Sequence, residues 1–281
     1  MEQTNSPVDD EPVLSEADFK RLGKYIQTHF GIRMPAGKRV MLESRLRKRL
    51  RRLGLRDFGA YCDRVFGGDQ RELVAMIDTV TTNKTDFFRE PRHFDYLSST
   101  AVPTLEDQLT AGLRVWSAAC STGEEPWTLA MVLADLSERT SRFKFSILAT
   151  DLSTEVLAEA KAAVYEEERV EPVAMPFRRK YLLRRKDGAS VVRIVPDLRT
   201  HVRFDQVNLL EPNFTRFGSM EVIFCRNVFI YFERTVQRDI LLRFINTLVP
   251  GGYLFLGHSE SINGIDVPLT QVAPTVYRKG A

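Results

Sequence analysis

The residues best suited to chemistry sit at the ends of apolar runs. Asp151 closes the run FKFSILATD. An acid at that position of a nucleotide-binding sheet accepts hydrogen bonds from ribose hydroxyls, whereas elsewhere it simply caps the next helix. Residues 113–128, LRVWSAACSTGEEPWT, read as a buried strand through Val115, Trp116 and Ala118, then a tight turn at residues 121–123, then a helix entered through Pro126. Unpaired N–H groups at such a helix start, just beyond a strand's carboxyl end, form a natural ligand site.

The turn lacks a dinucleotide fingerprint, because Gly123 is its only glycine and there is no GxGxxG. Glu124 and Glu125 open the helix, where a pyrophosphate would be repelled. A cofactor with a cationic end suits them better, although the same acids also complement the helix dipole. S-adenosylmethionine fits this description, with an adenosine for Asp151, an ammonium group for a glutamate and no phosphates. The segment LVPGGYLFLG adds a helix end, turn and strand like those of class I methyltransferases.

A second concentration of charge lies in KRVMLESRLRKRLRRLG, which carries Lys38, Arg39, Arg45, Arg47, Lys48, Arg49, Arg51 and Arg52 against the single acid Glu43. Leu42, Leu46, Leu50 and Leu53 make its apolar stripe. At about 100° per residue, Arg45, Arg49 and Arg52, with Arg56 beyond them, form one row beside the leucines. Charge runs commonly do no more than keep a face solvated. The density and single sign here point to a surface for something acidic.

Around these residues the chain divides in composition. Residues 1–12 are polar and read as a flexible tail. Ser15 caps a helix bearing Phe19, Leu22 and Ile26, the basic helix follows, and two shorter helices carry Phe58, Tyr61 and Val65, then Leu73, Met76, Ile77 and Val80. Residues 13–82 are therefore expected to form an all-α domain. TTNKTDFFREPRHF, residues 81–94, is a linker or lid in which Phe87 and Phe88 serve as core plugs while Asn83, Thr85 and Arg89 offer donors. From residue 113 strands and helices alternate, which argues for a parallel, doubly wound α/β sheet covered on both faces. A basic β-prone run on each side of Asp187-Gly188 marks a small antiparallel insert at about residues 166–203.

With 281 residues, 43% hydrophobic and 27% charged, the chain is an ordinary globular one, and its net charge of +3 is small. No run is long enough for a membrane span, and the first residues have neither the basic cap nor the apolar core of a signal peptide. Cys62, Cys120 and Cys225 lack metal-ligand spacing and fit a reducing cytoplasm, so no metal is expected.

Taken in order, TTNKTDFFRE, SAACSTGEEPWTLA, ATDLSTEVL, VNLLE, FCRNVFIYF and GHSES closely resemble the bacterial chemotaxis receptor glutamate O-methyltransferases, the CheR family. The resemblance runs from about Leu14 nearly to the end. It implies a class I methyltransferase domain over residues 83–281, with a Rossmann-like sheet, an N-terminal all-α domain and a β subdomain. It implies cofactor contacts from Asn83, Thr85, Arg89, Glu124, Glu125, Asp151, Asn208, Leu209, Asn227 and Val228. Tyr231, with Arg89, is expected at the transferred methyl, the alternative for Tyr231 being a buried aromatic with a satisfied hydroxyl.

The same resemblance implies transfer of a methyl group to receptor glutamates, giving methyl esters and S-adenosylhomocysteine in the cytoplasm. The partner is then the helical cytoplasmic region of a chemoreceptor, with no nucleic acid, no membrane insertion and a monomeric enzyme. Arg45, Arg49 and Arg52 become candidate substrate-binding residues, and charge reversal at Arg49 is expected to raise the KM for receptor. His93, His201 and His258 are read as structural or peripheral, with His258 near the pocket. The brief hairpin from Arg184 to Val192, with Gly188 as its only glycine, implies a form that does not depend on a receptor C-terminal pentapeptide. Two rivals stand beside this reading: a nucleic-acid methyltransferase, which lacks support from an Asn-Pro-Pro-Tyr-like motif after the fourth strand, and a non-catalytic module that senses the cofactor.

Overall fold

The computed structural model describes residues 11–81, 83–140, 143–185 and 187–280, without the side chains of residues 107, 108 and 110. The chain forms two compact units, Met1–Thr81 and Thr82–Ala281. Of the tail read as flexible, residues 1–10 lie outside the described residues. Glu11 and Pro12 are held by Arg47, which donates to the Glu11 carboxylate at 2.6 Å and to the Pro12 carbonyl at 3.1 Å.

Among the described residues, the first unit has four α-helices: α1 (Glu16–Phe30), α2 (Arg39–Leu53), α3 (Phe58–Phe66) and α4 (Gln70–Val80). Each of α1, α3 and α4 starts at a side-chain cap, from Ser15, Asp57 and Asp69 respectively, which satisfies one of the unpaired N–H groups of the first turn. Leu42, Leu46 and Leu50 of α2 are fully buried with Leu22, Ile26, Tyr61, Cys62 and Met76, so the leucine stripe is the inner face of α2.

The second unit begins with α5 (Arg92–Tyr96) and α6 (Val102–Leu105), then alternates β1 (Leu113–Ala118), α7 (Glu124–Arg139), β2 (Phe145–Asp151) and α8 (Thr154–Ala162). The insert follows as β3 (Val164–Glu166), α9 (Met175–Tyr181), β4 (Leu182–Arg184) and β5 (Val191–Ile194). After α10 (Pro196–Arg199) come β6 (Val202–Gln206), β7 (Met220–Cys225), α11 (Arg234–Thr247), β8 (Leu248–Leu256), β9 (Leu269–Ala273) and β10 (Val276–Lys279).

Seven strands lie in the order β6-β2-β1-β7-β8-β10-β9. The first five are parallel, and β10 runs antiparallel beside β8 and β9. Strand order reverses between β1 and β7, the switch point at which open α/β sheets bind ligands outside their carboxyl ends. Every residue of β7 is buried and nearly every one of β1, as central strands covered on both faces require, whereas the edge strand β6 is half-exposed.

In the strands, the sequence reading and the structure differ in three places. Pro250, Gly251 and Gly252 are not a turn before the strand but lie inside β8, whose pairing with β7 shifts register between Met220 and Val222. A bulge of this kind accommodates the proline and glycines without ending the strand. β9, bracketed by Pro268 and Pro274, carried too little alternation to be recognised. The insert is a three-stranded sheet in the order β3-β5-β4, with β3 starting just after Ala163, the C-terminal cap of α8.

Candidate active site

The turn after β1 has a contorted backbone. Ala119, Ser121 and Gly123 all have positive φ, at 63°, 50° and 97°. Only glycine suits the last of these, because a Cβ there would lie 2.8 Å from the Ala160 Cβ and 2.9 Å from the Tyr165 hydroxyl. The turn is held in place by its neighbours: Ser121 N donates to Asp151 Oδ2 at 2.8 Å, and Ser121 Oγ donates to the Asn83 carbonyl at 2.9 Å. Asp151 also accepts from Ser153 N at 3.0 Å. Asn83, Ser121 and Asp151 are thus gathered at one corner. α7 starts at Glu124, so Pro126 is its third residue rather than its first, where its missing N–H is still one of the unpaired donors.

Across the switch point, Arg226 follows β7 and is almost completely buried. Its guanidinium bonds the Glu125 carboxylate at 3.1 Å and the Glu90 carboxylate at 2.9 Å, and donates to the Arg89 carbonyl. Ser117 Oγ donates to the other oxygen of Glu125 at 2.7 Å. Burial pushes the Glu125 carboxyl upward, with Arg226 and Ser117 opposing it. Two carboxylates share one guanidinium, so the cluster keeps a net negative charge, and Asp151 adds another. A basin of this sign matches a cationic sulfonium and ammonium and disfavours a pyrophosphate, so the residues present fit S-adenosylmethionine.

Asn227 carries φ of 60°, and its N–H donates to Glu260 Oε2 at 2.8 Å, as does Gly257 N at 2.6 Å, while Phe229 N donates to Glu260 Oε1 at 2.7 Å. Gly257 has to be glycine here, since a Cβ would approach Asn227 N to 2.8 Å. The buried Glu260 carboxylate thereby shapes the turn that presents Asn227, Val228 and Tyr231, all three half-buried. Asn208 folds its side chain onto Leu210 N at 3.0 Å, and Leu209 is buried beside it. Thr85 and Arg89 are half-buried, with Arg89 donating to the Lys84 carbonyl at 3.1 Å. Phe88, Glu90, Ala119, Ser121 and Asn227 are five of seven non-glycine residues with positive φ among the described residues, and they belong to three segments tied together by Arg226 and Asp151. Such concentration of backbone strain is a mark of functional sites.

Glu124 has a different task from Glu125. Its side chain is wholly buried and its carboxylate is taken by Thr122 and Arg169, so it anchors the turn toward the insert. Phe87 and Phe88 are the expected plugs, against Tyr165 and Phe177. His93 is buried with Nε2 at 2.9 Å from Thr275 Oγ1, and desolvation with the nearby Arg226 lowers its pKa to about 4. Glu90, His93 and His258 place ligand-type atoms within 4.8 Å of one another. Both Glu90 oxygens are already occupied by Arg226, Asn227 and the His258 N–H. His201 stacks on Phe145.

Sequence reasoning did not single out Arg226, Glu90 or Glu260. A signal was available: an arginine directly after the apolar run MEVIFC has to be paired if the run is a central strand.

The basic helix divides in two. Arg45 Nη1 donates to the carbonyls of Thr79, Val80 and Thr81 at 3.3, 3.0 and 2.8 Å, closing the C-terminal end of α4. Arg49 grips Glu72 with two bonds of 3.0 and 2.6 Å, and Glu72, 3% exposed, also accepts from the Tyr61 hydroxyl. Lys48, Arg51, Arg52 and Arg56 are exposed.

Residues 83–277 match the family model described as CheR methyltransferase, SAM binding domain, and residues 17–81 match CheR methyltransferase, all-alpha domain. The chain belongs to the CheR methyltransferase family. The chemotaxis protein methyltransferase of Escherichia coli (strain K12) is 40% identical over 266 residues, covering 94% of this chain and 91% of that protein. The one from Borreliella burgdorferi is 35% identical over 274 residues and covers 95% of each. This CheR methyltransferase therefore has S-adenosylmethionine as its methyl donor and the fold expected of a class I enzyme with an all-α domain and a small antiparallel sheet. Among the described residues, no helix is long and apolar enough to cross a membrane.

Proposed function

We propose that this methyltransferase esterifies glutamate side chains on the helical cytoplasmic region of chemoreceptors, giving the methyl ester and S-adenosylhomocysteine. What carries the reading is the acidic, phosphate-repelling corner at the switch point, where Glu125, Arg226 and Asp151 meet in a chain of this family. Bound S-adenosylmethionine supplies an electrophilic methyl group. Asp151 holds ribose hydroxyls, Glu125 faces the ammonium end, and Asn83, Thr85, Arg89, Asn208, Leu209, Asn227 and Val228 complete the wall. Glu124 serves from behind, through the turn.

A substrate carboxylate with an ordinary pKa near 4.3 is already ionised at neutral pH, so no general base is needed. The protein's work is to orient one carboxylate oxygen in line with the methyl group and to exclude water. Tyr231 and Arg89 take that role beside the reacting atoms. The exposed Lys48, Arg51 and Arg52 draw the acidic receptor surface, while Arg45 and Arg49 support the helix that presents them. Activity in the cytoplasm, as a monomer and without a receptor pentapeptide, belongs to the same proposal.

The decisive experiment follows a labelled methyl group from the cofactor into receptor. A base-labile ester on glutamate is expected. Label that is stable to base, or that enters RNA or DNA instead, overturns the assignment. Tyr231→Phe is expected to slow turnover at least tenfold while leaving the cofactor dissociation constant within about twofold, a tenfold rate loss being about 1.4 kcal/mol of transition-state stabilisation. Native turnover in this variant would return Tyr231 to a packing role.

A further inference from the structure

The insert reaches the cofactor turn through one arginine. Arg169 lies in the 3-10 turn Glu167–Val170, directly after β3, and its Nη2 donates to Thr122 Oγ1 at 2.7 Å and to the Glu124 carboxylate. The Thr122 hydroxyl in turn donates to Glu124 Oε2 at 2.8 Å. Beneath the guanidinium, 5.3 Å from its carbon, lies the ring of Tyr165 in β3, whose hydroxyl donates to the Thr122 carbonyl at 2.7 Å. Gly123 is wedged between Ala160 and that same hydroxyl. The two halves of the turn thus have different anchors. Cys120 and Ser121 are fastened to Thr150, Asp151 and Asn83, whereas Thr122, Gly123 and Glu124 are fastened to the insert and the helix leading into it.

An ion pair of this kind sets geometry more than it adds stability, because burying Glu124 costs much of what the pairing returns. Its carboxyl is pushed upward by burial and held down by Thr122 and Arg169. The second guanidinium nitrogen of Arg169 lies 3.9 Å from the Glu159 carboxylate.

We propose that Arg169 is a positioning residue for the methyl donor, acting through Thr122 and Glu124 without touching the ligand, and that it couples the insert to cofactor affinity. This rests on the reading that the turn after β1 holds the cofactor. By linkage, the coupling is reciprocal: whatever displaces the Glu167–Val170 turn weakens cofactor binding, and bound cofactor steadies the insert.

The test uses the full chain and measures S-adenosylhomocysteine binding by calorimetry, together with steady-state kinetics and thermal melting. Arg169→Met is expected to raise the dissociation constant and the KM for S-adenosylmethionine about tenfold, with kcat at saturating cofactor within about twofold, as for a group whose loss is paid in binding alone. Arg169→Lys restores part of the affinity through a single donor. The double variant Glu124→Gln with Arg169→Met removes the unpaired buried charge; its melting temperature is expected to recover while its cofactor affinity stays weak. Recovery of both would make the pair merely structural and overturn the proposal. Should Arg169→Met fail to fold, Tyr165→Phe removes the bond to the Thr122 carbonyl while keeping the ring beneath the guanidinium, and is expected to weaken cofactor binding in the same direction; unchanged affinity there counts against the proposal. Asp151→Ala separates the two levels. If it too binds cofactor normally, the reading of the corner fails. If it binds weakly while Arg169→Met binds normally, only the role of Arg169 fails.

Discussion

Arg226 shows how a single buried charge organises this site. Its guanidinium, 2% exposed, touches the Glu90 and Glu125 carboxylates and the Arg89 carbonyl together. Removing it with Arg226→Met leaves two carboxylates buried without their counterion, a loss expected to cost about 3–5 kcal/mol of stability and measurable as a lower urea midpoint. Lysine cannot reproduce a grip on three partners, so Arg226→Lys should recover little. His93 is a second residue with a measurable consequence. Its pKa of about 4 lies below the ordinary 6.5, so the stability it contributes is complete above about pH 6.5 and is lost as pH falls toward 4. Between pH 7 and pH 5 that loss is about 2 kcal/mol. His93→Gln should flatten this part of the stability profile, and an unchanged slope would show that His93 is not its source.

Helix α2 illustrates how an element can serve two purposes at once. Leu42, Leu46 and Leu50 face inward, Arg45 and Arg49 reach across to α4, Arg47 is taken by Glu11, Pro12 and Glu43, and Arg39, Lys48, Arg51 and Arg52 are exposed. The row of Arg45, Arg49 and Arg52 read along the sequence is therefore divided by packing. Reversal at Arg49, expected from sequence to act on receptor binding, would set two acids against each other at Glu72 and is now expected to destabilise the helical unit by more than 3 kcal/mol. Reversal at Arg52 or Lys48 should leave the melting temperature within a few degrees and raise the KM for receptor several-fold. Cofactor binding should not change in either exposed variant. A receptor KM identical to the native one would remove α2 from the receptor-binding surface.

At the scale of the whole molecule the net charge is only +3, so local concentrations of charge decide what each surface attracts. Acids crowd the cofactor corner, and arginines and lysines cover one face of α2. Attraction of an acidic receptor by exposed cations is screened over about 8 Å at physiological salt. Raising ionic strength should therefore raise the KM for receptor steadily while the KM for cofactor, set by buried groups, stays nearly constant. Equal salt dependence of the two would argue that the surface charges do not steer receptor.

Much of this was legible in the residues themselves. Period and capping placed the four helices of the first unit, since Ser15 and the leucine stripe act over a few residues along one chain. Alternation of strand and helix implied the parallel sheet, and the paired glutamates with Asp151 marked the corner and the kind of cofactor, because strand ends and helix starts converge in any doubly wound sheet. The separate partners of Glu124 and Glu125 were not legible. Glu124 and Glu125 are adjacent and chemically identical, and their roles part only because Arg169 arrives from the insert and Arg226 from the strand across the switch point, 45 and 101 residues away in sequence. The same holds for Arg45 and Arg49, whose partners lie on α4. Local physics chose the elements, and pairing of buried charge between distant segments assigned the residues their tasks, since a buried ion must find its counterion wherever the fold brings one.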